Sequence, residues 1–200
     1  DLFTGRLEEA IRGMESALPG LKKAGDRWEL ETAYVHLASI HWAQGEWRKA
    51  LHCFEEMKRI VTPGGDMRGE AGIHCGLGAT YVLQGDPDRA EPEFRKARSL
   101  CEISGHPFLK ASCGMLSASS CLARRDWDGA VEVLREACDI VHRNGLYSYY
   151  MTPCYYLLAQ ACLEKARTVR QRRERKAWLR EAAAGLRKGR LLGWGYPLTT

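Results

Sequence analysis

The sequence predicts an all-α array of antiparallel helical hairpins on a 40-residue repeat. Three registers predict it. Ala10, Ala50, Ala90 and Ala130 recur at that step, as do Gly25, Gly65, Gly105 and Gly145. The third register is a large apolar residue four positions after each alanine: Met14, Phe54, Phe94 and Leu134. A further series, Gly5, Gly45 and Gly85, keeps the step until Arg125 interrupts it. A fixed period of this length marks stacked units, none of which can bury its apolar face alone.

The elements follow in order. Residues 6–24 read as a second helix whose apolar positions, Leu7, Ile11, Met14, Ala17, Leu18 and Leu21, lack a first helix to cover them. That face is expected to be covered by another copy of the chain or to be its most mobile part. Over 27–44, Ala33, Tyr34, Leu37, Ala38 and Ile40 fall three and four apart on one helical face, and Gly45 ends the helix. Trp47 opens 47–61, striped by Ala50, Leu51, Phe54, Met57 and Ile60, and Pro63-Gly64-Gly65 stops it. Helices at 67–84, 87–103, 107–124 and 127–143 follow. Asp86 and Asp126 are natural N-caps, and Pro87 sits where a first turn tolerates proline. Tyr147 to Met151 read as an entry segment, with Pro153 in the first turn of 150–168. An insertion from Thr168 to Glu174 then leads into 174–192.

The expectation is nine helices, no strand, and one domain over 1–200. Its repeats are a partial 1–26, then 27–66, 67–106, 107–146 and 147–192. Both ends look cut, since Gly193 to Pro197 begins a turn, so the array is expected to continue in a larger protein.

Composition agrees with a globular chain: 45% hydrophobic and 28% charged residues. No apolar run nears the roughly 18 residues of a membrane span, and Asp1 to Arg6 show no secretory leader. The eight cysteines all fall inside helical apolar patterns. They read as reduced core thiols of a cytoplasmic protein.

His74-x2-Leu77-Gly78-x2-Tyr81, followed by Ala90-x3-Phe94 and Ala97, resembles the tetratricopeptide repeat. Tyr34, Leu37, Ala38, His41, Ala50 and Phe54 repeat the pattern. Ser117-Ala118 with Cys121, and Leu157-Leu158 with Ala161, follow it loosely. The resemblance implies a right-handed superhelix whose first helices line a concave face that binds a protein, a peptide or another domain of the parent protein. The long period is similar to arrays in large bacterial signal-transduction ATPases of the maltose-regulon-activator type, in adenylate-cyclase fusions and in peptide-pheromone receptors. A sensor or scaffold in signalling or transcriptional regulation is therefore implied.

The register places Thr32, Val35, Ser39, Trp42, Cys75, Ala79, Met115, Ser119, Tyr155 and Cys162 on the groove. Five of the eight tyrosines lie within ten residues: Tyr147, Tyr149, Tyr150, Tyr155 and Tyr156. They suggest a pocket lined by Met115, Ser119, Met151 and Tyr155, with Trp42 along the wall, because rigid rings beside a polarizable Met suit an apolar ligand.

The sequence offers little chemistry. Gly76-Leu77-Gly78-Ala79-Thr80 lacks the Lys-Ser/Thr of a phosphate loop. The histidines form no H-E-x-x-H, Cys113/Cys121 and Cys154/Cys162 are two turns apart, and Ser117, Ser119 and Ser120 find no triad partners. No enzyme activity, cofactor or metal is expected. The competing class rests on charge. Residues 165–190 hold eleven Lys or Arg against Glu174 and Glu181, more excess charge than the chain's net +5. Arg170, Arg172, Arg173, Arg175 and Lys176 would then meet nucleic acid or another anionic surface. A solvated helix face explains the same run.

Overall fold

The computed structural model describes residues 7–61, 65–148 and 150–193, which form nine helices and no strand. They are α1 (Leu7–Ala24), α2 (Arg27–Gln44), α3 (Trp47–Val61), α4 (Met67–Leu83), α5 (Pro87–Ser104), α6 (Pro107–Ala123), α7 (Trp127–Arg143), α8 (Thr152–Thr168) and α9 (Arg172–Gly193). The expected bounds hold to within two residues. Gly5, Pro63, Gly64, Tyr149 and the turn after Gly193 lie outside the described residues.

The local chemistry sets these bounds. Asp26, Asp66, Asp86 and Asp126 each accept a backbone N–H from the first turn, from Glu29, Gly69, Arg89 and Gly129 respectively. That satisfies donors a helix start would otherwise orphan. Gly25, Gly45, Gly65, Gly85, Gly105 and Gly145 stand at positive φ, 62° to 82°, between the helices. Arg125 takes the same conformation, φ 59°, although it has a side chain. A left-handed L-residue is strained, so Arg125→Gly is expected to stabilise the fold by about 0.5–1 kcal/mol. A raised urea midpoint with unchanged slope would show it.

The chain divides into two compact units within α5, between Leu100 and Cys101. In the first, α2 and α3 pair around Leu30, Tyr34, Leu37, Ala38, Ala50, Phe54 and Met57, and Ile11, Met14, Leu18 and Leu21 of α1 pack against this core. Phe54 lies over Gly76 of α4, and Phe94 over Gly78. Large residues of the second helices thus fill space left by glycines of the first, as the paired registers imply. His74 Nδ1 meets Glu93 Oε2 at 2.5 Å across the α4–α5 hairpin.

In the second unit α6 pairs with α7, α7 with α8, and α8 with α9. Its core holds Val131, Leu134, Val141, Met151, Tyr155, Leu158 and small residues including Ala118 and Ala159. Seven of the eight thiols are buried and none forms a disulfide. Burial pushes Cys53 and Cys162 up to about 11, and Cys138 and Cys154 up to about 12. A hydrogen bond with Cys113 and burial raise Cys101 as well. These thiols stay protonated and act as small core hydrophobes.

Candidate partner-binding surface

The candidate surface is the row of the first helices that the repeat register assigns to the groove. In α2 it carries Thr32, Val35, Ser39 and Trp42, spaced three and four apart. Val35 is 40% exposed, and Thr32 and Ser39 are half-buried, with Ser39 Oγ bonded to the Val35 carbonyl at 2.9 Å. Trp42 is committed to the scaffold. Its Nε1 donates to Thr80 Oγ1 of α4 at 2.9 Å, and its ring tilts against Phe54 at 5.7 Å between centroids. Cys75 and Ala79 of α4, expected on the groove, are buried. α2 packs on α4 here, and such short side chains do not reach past it.

In the second unit Met115 and Ser119 of α6 are half-buried. The expected pocket with Met151 and Tyr155 is absent, because both are core residues, 1% and 2% exposed, and Cys162 is buried too. The cause is a register slip. The buried positions of α6, Ala111, Cys113, Ser117, Ala118 and Ser120, reappear in α8 as Thr152, Cys154, Leu158, Ala159 and Ala161, each 41 residues on rather than 40. Gly105 and Gly145 still keep the 40-residue step, so the extra residue lies between Gly145 and Thr152. One residue turns a helix by about 100°. Tyr155 therefore takes the place of Gly114, inside the hairpin, where an added Cβ on Gly185 would meet its carbonyl at 3.0 Å. Tyr156 takes the row of Val35 and Met115, and Leu163 the row of Trp42. Tyr156 is 42% exposed and covers Gly189 of α9.

The other tyrosines do not gather. Tyr147 bonds His142 Nδ1 through its hydroxyl at 2.6 Å, Tyr150 is exposed, and Tyr149 lies outside the described residues. Pro153 does sit in the first turn of α8, after the non-helical residues 146–148 and 150–151.

Two features compete for attention. An open cleft of about 670 Å³ runs along α7, lined among others by Asp128, Glu132, Arg135, Glu136, Asp139 and Trp178. Its charges are largely spent on one another. Arg135 makes a two-pronged bond to Glu181, while Asp128 pairs with Lys165, Glu136 with Lys110 and Asp139 with Arg143. Arg170, just before α9, and Arg172, Arg173, Arg175 and Lys176 at its start are exposed. Among the described residues no side chain pairs with them, and no group of three His, Cys, Asp or Glu could hold a metal ion. No helix among the described residues is long and apolar enough to cross a membrane.

A family model described as tetratricopeptide repeat matches residues 29–103, which span α2 to most of α5. No curated protein matches the chain. Among solved structures, the crystal structure of BtubC (BKLC) from P. vanneervenii superposes with a TM-score of 0.60 at 16% identity, covering 96% of this chain and 91% of that one. The nearly identical TPR-like repeats ascribed to a kinesin light chain of Podosopora anserina give 0.60 at 18% identity, covering 94% and 90%. Identities this low show a shared fold. The chain is a tetratricopeptide-like all-α repeat array.

Proposed function

We propose that the chain is a protein-binding module, a sensor or scaffold within a signalling or transcription-regulatory protein, whose partner lies on the first-helix face. The observations that carry this reading are made in each unit by itself: exposed Val35 on α2 in the first, and exposed Tyr156 on α8 with half-buried Met115 and Ser119 on α6 in the second. Large apolar side chains held open on rigid helices are what a partner's anchors need. The eight free thiols favour a reducing, cytoplasmic setting. The row has no Lys, Arg or Asn, so it suits an apolar segment rather than a C-terminal carboxylate, which requires charged donors.

The test is capture of partners from extract on immobilised wild-type chain beside Val35→Asp and Met115→Asp. A partner held by the wild type and lost by either variant, with helicity unchanged, supports the reading. Equal capture by all three overturns it, as would tight binding of an acidic C-terminal peptide at this row.

The cations Arg170, Arg172, Arg173, Arg175 and Lys176 favour a second reading, an anionic partner. Salt decides here. Phosphate binding weakens steeply between 50 and 200 mM salt, whereas apolar binding at Val35 is expected to change little.

A further inference from the structure

We infer that the α8–α9 hairpin carries a groove that takes an acidic amphipathic helix of a partner protein. Tyr156 and Leu163 on α8, and Leu179 and Leu186 on α9, are 42%, 38%, 42% and 45% exposed. Each pair is seven residues apart, two helical turns. Each of the four follows by one a residue turned inward: Tyr155, Cys162, Trp178 and Gly185. The helices are antiparallel, since Gly185 faces Ala159 while Gly189 faces Tyr156. Equal rotation past the contact line in an antiparallel pair puts both rows on the same side. The result is two apolar ridges with a furrow between them.

The α9 ridge is a departure from the repeat. Trp178 and Gly185 stand in α9 as Trp127 and Leu134 do in α7, so Leu179 and Leu186 correspond to Asp128 and Arg135. The same places hold Arg48 and Glu55 in α3, and Asp88 and Arg95 in α5, all charged and exposed. Three second helices carry charged residues where the fourth carries leucine, and in α7 these charges pair with Lys165 and Glu181.

The surroundings select the partner. Arg175, Lys176, Arg187 and Arg190 lie on the same or the adjoining face as Leu179 and Leu186. No side chain among the described residues pairs with them. Glu181 points to Arg135 of α7, and Glu164 to Arg167. A furrow between ridges suits a single helix with apolar residues at three- and four-residue spacing, and the unpaired cations suit carboxylates on its flanks. A bilayer would need a broad apolar face, and nucleic acid would have no use for the leucines.

This rests on the reading of the first-helix row as a partner surface and extends it to α9. The experiment titrates the whole chain with a fluorescein-labelled 18-residue peptide of leucines at three- and four-residue spacing among glutamates. A scrambled peptide of equal composition, phosphatidylserine vesicles and single-stranded RNA are run beside it. The expected result is saturable binding of the amphipathic peptide, weakened at least about 10-fold by Leu186→Gln and by Tyr156→Ala. Arg187→Glu together with Arg190→Glu should weaken it and flatten its salt dependence. Equal binding of the scrambled peptide overturns the inference, as does a Leu186-dependent preference for vesicles or RNA. If Tyr156→Ala weakens binding and Leu186→Gln does not, the α9 groove fails while the first-helix reading stands. If neither matters, the groove fails, and the first-helix reading is decided separately by capture on Val35→Asp and Met115→Asp.

Discussion

Tyr155→Ala is expected to lower the unfolding free energy by about 3–5 kcal/mol, and Tyr156→Ala by less than about 1 kcal/mol. The two residues are chain neighbours of one type, so composition and local propensity cancel in the comparison. What differs is position. Tyr155 is 2% exposed and packs with Met151, Cys154 and Leu158, its hydroxyl 3.5 Å from the Cys138 carbonyl. Burial raises that hydroxyl to about 12. Removing the ring leaves a cavity that rigid neighbours on α7 and α9 cannot fill. Tyr156 is 42% exposed and loses its contact with Gly189. Urea titrations followed by circular dichroism would measure both. Similar losses at the two positions would mean that α8 keeps the 40-residue register after all.

This pair also shows where the sequence could be read and where it could not. The helices were legible because the signals are local and redundant. Glycines at positive φ, aspartate caps and apolar spacing reinforce one another at the boundaries from the end of α1 to the end of α7. The large-to-small packing was legible too, since Phe94 and Gly78 stand in linked registers. The site was harder. A groove residue is identified by the direction in which its side chain points, and a single added residue rotates that direction by about 100°. The insertion lies between Gly145 and Thr152, where the sequence has no periodicity to betray it. Leu158 and Ala159 fit the apolar repeat position equally well as residue types. Cys75 and Ala79 failed for another reason: exposure depends on what the neighbouring helix covers, and Trp42 reaching Thr80 is a tertiary fact.

The second large effect is expected at the contact between Phe54 and Gly76. An ideal Cβ built on Gly76 would lie 2.2 Å from both Cε1 and Cζ of Phe54, well inside van der Waals contact. The ring cannot simply withdraw, because Trp42 stands against it at 5.7 Å and the indole is tied to Thr80. Gly76→Ala should therefore cost about 1–3 kcal/mol as overpacking, even though alanine favours a helix over glycine by about 1 kcal/mol. Phe54→Ala should cost about 3–5 kcal/mol as a cavity. The double variant decides between packing and propensity. With the ring gone, the added methyl group fills part of the void, so Gly76→Ala in the Phe54→Ala background should be neutral or stabilising. A coupling of about 1–3 kcal/mol in that direction is expected. Additive losses would show that Gly76 is needed for something other than room for Phe54.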